Sequence, residues 1–218
     1  MRVLYVTGVI VLLDQVTKLL VKGFSVPLID FYHAGVPLGS SHSVLGDLLR
    51  LTYIENPGMA FGIEVGGKLF LTLFSIVASF GILYYLWKIR GESLIIRFSL
   101  AMILGGAIGN LIDRVFYGVF FGEGPLFYGK VVDFLDVDFF NVNLLGVHIS
   151  RWPVFNVADA SVSLGVLMLL IFHRRFTQEE QASVSMAASS NQSADSAVSD
   201  GAMDIAGDSS QSPNTPTA

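Results

Sequence analysis

The sequence predicts an all-α membrane protein, a bundle of four transmembrane helices with a small extracytoplasmic β-sheet. Of its 218 residues, 52% are hydrophobic and 14% are charged, and the mean hydropathy is +0.62. Soluble domains carry roughly 25% charged residues, so this composition is typical of a membrane protein. The net charge of -5 argues against a nucleic-acid surface. The chain has no cysteine, which excludes disulfides, thiol catalysis and cysteine-bound metals.

Four segments are long and apolar enough to cross a bilayer, which takes roughly 20 residues. They cover residues 3–20, 69–87, 94–116 and 154–172. Asp14 and Lys18 interrupt the first segment at i,i+4 spacing, which predicts an internal ion pair. The fourth segment contains Asp159 as its only charge. Residues 2–13 could instead be a secretory signal, but no small-x-small cleavage site follows them.

The basic residues near the segment ends predict the orientation, because cytoplasmic loops are enriched in Lys and Arg. The short connection 88–97 is basic, whereas the longer connections 23–67 and 117–153 hold little basic charge for their length. Both termini and the short connection are therefore predicted in the cytoplasm, and the two long connections outside. After Phe176 the composition becomes polar and Ser-rich, so residues 1–176 are predicted as the membrane domain and 177–218 as a disordered cytoplasmic tail.

Two stretches of the outer connections alternate apolar and polar residues, as half-buried strands do. They are LRLTYIE at 49–55 and KVVDFLDVDF at 130–139. In the second stretch Asp133 lies on the more apolar face, while Asp136 and Asp138 point the other way. We therefore predict a small sheet on the membrane surface that carries Asp133.

Polar side chains from four separate stretches reach a similar depth near the outer membrane face. At about 1.5 Å per residue, Asp159 is about 8 Å below the start of its helix, and it has no cation within one turn in sequence. An ionisable residue in a membrane segment is costly and is a candidate for function. Two such acids can share a proton and divide acid and base roles. The converging residues are Asp14, Lys18, Asn110, Asp113, Arg114, Asp133, Asn156 and Asp159.

Several classes of function are compatible with intramembrane acids. A proton-coupled transporter would spread them across the membrane, whereas here they cluster at one boundary, which favours a peptidase. A membrane assembly factor would make both Asp133 and Asp159 structural, and a structural role is also open for Asp113. The chain contains neither the HExxH pair of a zinc protease nor the GxSxG turn of a serine hydrolase.

Five motifs resemble, in order, those of signal peptidase II, a family of bacterial inner-membrane aspartic peptidases. The resemblance implies a four-helix bundle with a small extracytoplasmic sheet and a short amphipathic helix. Two stretches, 32–48 and 114–133, look longer than is typical of the family, as does the tail. The motifs are DQVTK at 14–18, NPGMAFG at 56–62, GGAIGNLIDR at 105–114, VVDF at 131–134 and FNVADASVSLG at 155–165.

The resemblance also implies what the site residues do. Asp133 and Asp159 match the catalytic pair, and Arg114 matches an arginine that contacts the substrate backbone. The implied substrates are diacylglyceryl-modified prolipoproteins, cut just before the lipidated cysteine at the membrane lipid surface, with globomycin-type cyclic peptides as inhibitors. No metal or organic cofactor is implied. The remaining residues implied to line or support the site are Asn56, Gly58, Asn110, Asn156, Asp113, Asp14 and Lys18.

Overall fold

The computed structural model describes residues 2–60, 63–64, 67–91, 93–138, 142–144, 147–149 and 152–172. The chain divides into a first unit, Met1–Leu170, and a second unit, Ile171–Ala218. The site and its supports lie in the first unit. The tail predicted at 177–218 falls outside the described residues.

Long helices dominate the described chain. Their bounds are α1 Leu4–Lys22, α2 Gly67–Lys88, α3 Leu94–Ile112, a π-helical turn Asp113–Tyr117, the short α4 Gly118–Phe120, and α5 Val157–Phe172. Within the described residues, three segments are long and apolar enough to cross a membrane: Leu4–Lys22, Leu69–Lys88 and Leu94–Phe120. The apolar helix α5 is shorter over the residues described, so its span stays a prediction.

Small residues let three helices pack closely. A Cβ added to Gly105 of α3 would lie 2.9 Å from the Cβ of Ile10 in α1. A Cβ added to Gly106 would lie 2.2 Å from the carbonyl oxygen of Ala158 in α5. Helix α3 therefore lies between α1 and α5 at a separation that only glycine permits, as is common between membrane helices. Helix α1 ends at Gly23, because the φ of 83° at this residue is incompatible with a right-handed helix.

The two predicted strands exist and pair with each other. The strands are β1 Phe24–Val26, β2 Phe31–His33, β3 Ser41–Leu45, β4 Leu49–Asn56, β5 Met59–Ala60, β6 Ile63–Glu64, β7 Val131–Val137, β8 Val142–Leu144 and β9 Val147–Ile149. The largest sheet is antiparallel with the order β3-β4-β7. In its register Ile54 lies opposite Asp133 and Asn56 lies opposite Val131. The other strands form two-stranded hairpins.

Between residues 23 and 60 the only helical turn is the three-residue Pro27–Ile29. The short amphipathic helix implied by the resemblance has no predicted residue range and stays a prediction. The burial of the second predicted strand differs from expectation. Strand β7 is buried on both faces from Val131 to Phe134, not half-buried. The reason is that a hydrophobic cluster that includes Tyr53, Tyr117 and Val132 covers the reverse face. Asp136 is also buried and accepts a hydrogen bond of 2.8 Å from the Thr52 hydroxyl.

Candidate active site

Asp133 of β7 and Asp159 of α5 meet at one residue, Asn156. The Asn156 side-chain amide donates to Asp133 Oδ1 over 2.7 Å. The Asn156 backbone N–H donates to Asp159 Oδ2 over 3.3 Å. Asp133 is only 4% exposed and Asn156 is fully buried. Two carboxyls separated by 26 positions in the sequence are thus held on opposite sides of a single asparagine.

Asn156 also determines where α5 begins. Its side-chain oxygen accepts the backbone N–H of Asp159 over 2.9 Å, while Asp159 accepts the Asn156 N–H. This reciprocal pair is a capping box, in which the residue before the helix and the third residue of the helix satisfy each other's free N–H groups. The helix therefore starts at Val157 rather than at residue 154, and the side chain of Asp159 is fixed by the same bonds.

Two further asparagines hold the outer oxygens of the carboxyls. Asn110 of α3 donates to Asp159 Oδ1 over 2.7 Å, and Asn56 of β4 donates to Asp133 Oδ2 over 3.3 Å. The Gly58 N–H donates in turn to Asn56 Oδ1 over 2.9 Å. Gly58 has a φ of 108°, a backbone conformation that favours glycine, and a Cβ there would lie 2.7 Å from Leu71 Cδ1. Glycine at this position therefore permits the turn that places its N–H on Asn56.

A buried ion cluster lies behind the carboxyls. Lys18 pairs with Asp14 over 2.8 Å, as the i,i+4 spacing predicts, and with Asp113 over 2.7 Å, and all three side chains are fully buried. Lys18 also donates to Asn110 Oδ1 over 2.9 Å, which orients the amide that holds Asp159. The cluster therefore connects α1 and α3 to the candidate dyad through Asn110.

The two acids of this cluster also bind backbone N–H groups. Asp14 accepts the N–H of Ala158 over 2.9 Å, at the first turn of α5. Asp113 accepts the N–H of Val132 over 3.2 Å, next to Asp133. Each acid thus holds the backbone beside one member of the candidate dyad. This places Asp113 in a supporting position.

Sequence reasoning missed Gln15, which links the same groups. Its amide donates to Asp113 Oδ1 over 2.9 Å and to the Gly109 carbonyl over 3.1 Å. The Tyr117 hydroxyl donates to Gln15 Oε1 over 3.1 Å. The available signal was a second polar residue directly after Asp14 in a predicted membrane helix.

Arg114 lies beside the candidate dyad. Its charge interacts with Asp159, Asp113 and Asp133. Within the described residues its guanidinium has no ion pair or side-chain hydrogen bond. A half-buried guanidinium next to two acids can donate several hydrogen bonds to a ligand that enters the site.

Burial and like charge change the protonation of Asp133. Burial raises its pKa first, the neighbouring charge of Asp159 raises it further, and hydrogen bonds from Asn56 and Asn156 oppose the rise; the resulting pKa is about 7. A carboxyl with such a pKa can hold a proton near neutral pH. The site can therefore present one carboxylic acid and one carboxylate side by side.

Comparison with known proteins identifies the family. A family profile described as signal peptidase (SPase) II matches residues 6–175. The chain belongs to the signal peptidase II family. The resemblance seen in its five motifs is thereby confirmed, and this peptidase is of the aspartic type that the family implies. Nothing in the comparisons supports a transporter.

Relatives of this peptidase cover most of its length. A lipoprotein signal peptidase of Porphyromonas gingivalis is 38% identical over 203 residues, spanning 78% of this chain and 83% of that protein. One from Pelodictyon phaeoclathratiforme is 36% identical over 171 residues, spanning 78% of this chain and 89% of that protein. A solved structure described as a bacterial membrane enzyme, determined in meso at 2.3 Å, is 26% identical with a TM-score of 0.62, and the similarity covers 82% of this chain and 90% of that one.

Proposed function

We propose that this peptidase removes signal peptides from diacylglyceryl-modified prolipoproteins, cutting just before the lipidated cysteine, with Asp133 and Asp159 as the catalytic dyad. Family membership supports the reaction. The observation that supports the dyad is the convergence of both carboxyls on Asn156 in a buried site. Amide donors of Asn56, Asn110 and Asn156 hold both carboxyls.

The proposed chemistry divides two roles between the carboxyls. An amide bond resists water, so both the water and the carbonyl must be activated. The ionised carboxyl takes a proton from the attacking water, and the protonated one donates a hydrogen bond to the carbonyl oxygen. Arg114 is proposed to bind the substrate backbone, since its charge interacts with both carboxyls while its guanidinium makes no ion pair or side-chain hydrogen bond among the described residues.

The proposed setting is the bacterial inner membrane, with both termini in the cytoplasm and the dyad at the extracytoplasmic face. The basic connection between α2 and α3 supports this orientation. It requires α5 to act as a fourth span, in a membrane domain of residues 1–176 that precedes a cytoplasmic tail at 177–218. At this depth the diacylglyceryl chains of the substrate stay in the bilayer lipid while the peptide bond reaches the dyad.

Cleavage of a defined precursor tests this function. Purified full-length protein in mixed micelles is given a diacylglyceryl-modified prolipoprotein, and the product is analysed by mass spectrometry. We expect a mature chain that begins at the lipidated cysteine, and no product from the same precursor without the lipid. A globomycin-type cyclic peptide at saturation should stop turnover. Equal cleavage of the unlipidated precursor would contradict the proposed specificity.

The pKa of Asp133 predicts the pH dependence of this reaction. Above a pKa of about 7 the dyad loses its proton, so no acid remains to hold the carbonyl oxygen. We therefore expect kcat/KM to fall as the pH rises through about 7, and to recover fully when the pH is lowered again. Initial rates measured in mixed micelles at a series of pH values test this. A rate that stays constant far into the alkaline range would contradict it.

A further inference from the structure

Glu55 lies on the reverse face of the strand that carries Asn56. Neighbouring residues on a strand point to opposite faces, so its carboxylate faces away from the dyad. It is almost fully buried, with 8% of the side chain exposed. It accepts hydrogen bonds from Lys130 over 2.7 Å and from the Tyr53 hydroxyl over 2.8 Å, and it pairs with Lys22. None of the roles assigned above involves this residue.

The Glu55 carboxylate joins three elements. Lys22 is the last residue of α1, Glu55 belongs to β4, and Lys130 directly precedes β7. Lys22 makes two further contacts. Its Nζ pairs with Glu123 Oε1 over 2.6 Å and lies 4.5 Å from the centroid of the Phe121 ring. We call Lys22, Glu55 and Lys130 the rear clamp.

The Glu55 carboxylate of the rear clamp stays ionised near neutral pH. Burial alone would raise the pKa of Glu55, but hydrogen bonds from Lys130, Lys22 and Tyr53 lower it to about 2. The carboxylate also separates two lysines. Without its charge Lys22 and Lys130 would repel each other across the end of the strand pair.

The strand pair needs such a clamp because its ladder is interrupted. The pairing of β4 with β7 shifts between Leu51 and Ile54, so the upstream ladder does not set the register of the final residues. Beyond the interruption, Glu55 lies opposite Val132 and Asn56 opposite Val131. The bond from Asn56 to Asp133 is 3.3 Å long, near the outer limit for a hydrogen bond, so a small displacement of β4 would break it.

We infer that Glu55 is a positioning residue for peptide hydrolysis, acting through Asn56 by holding the end of β4 at the register that lets Asn56 reach Asp133. This inference rests on the proposed function of the dyad. Lys22 at the end of α1 and Lys130 just before β7 are the groups against which the strand is held.

The test compares Glu55→Gln with Glu123→Gln in the prolipoprotein assay. Both remove one carboxylate that contacts Lys22, but Glu123 is 35% exposed and belongs to no strand of the sheet. We expect Glu55→Gln to lower kcat about tenfold with KM within about twofold, because misplacement of a site group slows the chemical step. Glu123→Gln should match the wild type.

A double-mutant cycle separates positioning from general destabilisation. In an Asn56→Ala background, Glu55→Gln should cause no further loss of kcat, because the residue through which it acts is gone. An equal loss in both backgrounds, or wild-type kcat in Glu55→Gln, would overturn the inference. If Glu55→Gln does not fold, Lys130→Met replaces it, because Lys130 is 38% exposed and its substitution disturbs the fold less. Lys130→Met should also lower kcat, and it should cause no further loss of kcat in the Asn56→Ala background. An active Asp133→Asn enzyme would refute the dyad itself, which is a distinct outcome.

Discussion

Asp133→Asn and Asp159→Asn should each abolish turnover, with kcat/KM lowered at least about 1,000-fold. General acid–base catalysis contributes roughly 10²–10⁴-fold, and an asparagine can neither take a proton from water nor hold one for the carbonyl. The substitution preserves shape, and the new side-chain oxygen can still accept the Asn156 or Asn110 amide. Both variants should therefore insert and fold.

The measurement is the initial rate of cleavage of a diacylglyceryl-modified prolipoprotein by purified protein, with thermal unfolding monitored in the same micelles. Asp136→Asn is the matched control, because Asp136 lies on the same strand and accepts from Thr52, outside the amide network of the dyad. It should keep the wild-type rate within about threefold. The double variant should be no worse than either single one, because the two carboxyls act as a unit. Measurable turnover in either single variant would remove that carboxyl from the mechanism.

Lys18→Met should be the most destabilising single change in the site, lowering the free energy of unfolding by about 3–5 kcal/mol. Lys18 is fully buried between Asp14 and Asp113. Its removal leaves two buried carboxylates without a cation, and Asn110 loses the donor that orients it toward Asp159. Activity should fall with stability. Denaturant titration in mixed micelles, followed by tryptophan fluorescence, measures the effect.

Arg50→Met is the control for Lys18→Met, since it also breaks an ion pair. Arg50 is 34% exposed and its partner Asp47 is 83% exposed, and exposed pairs contribute at most about 1 kcal/mol. Adding Asp113→Asn to Lys18→Met should recover part of the lost stability, because one uncompensated charge is removed. If Lys18→Met were as stable as Arg50→Met, the buried cluster would not hold the helices together.

Residue spacing and the order of the motifs were the features of the sequence that predicted the structure best. The i,i+4 spacing of Asp14 and Lys18 predicted their ion pair, and the period-two alternation predicted β4 and β7. The second partner of Lys18 was not predicted, because its contact with Asp113 depends on how closely α1 and α3 pack. The rear clamp was not predictable either. Lys22, Glu55 and Lys130 lie in separate stretches of the sequence, and no local pattern there indicates that the three side chains meet.

The burial of β7 was underestimated for a similar physical reason. Alternation reports only which face is more apolar, and Val132 and Phe134 on the other face pack against residues from α1, β4 and the π-helical turn. No local feature of the β7 sequence identifies these neighbours. The same limit applies to Asn156. Its motif predicts that it is a site residue, but its contact with both carboxyls requires β7 and α5 to lie side by side.

The capping box at the start of α5 couples the position of Asp159 to the formation of its helix. Asp159 takes its orientation from the same two bonds that begin α5, and α5 is the last of the described helices along the chain. If Asp133 and Asp159 act together as proposed, a nascent chain that has made β7 but not α5 carries Asp133 without its second carboxyl. We then expect such a chain to be inactive toward neighbouring precursors until α5 has formed.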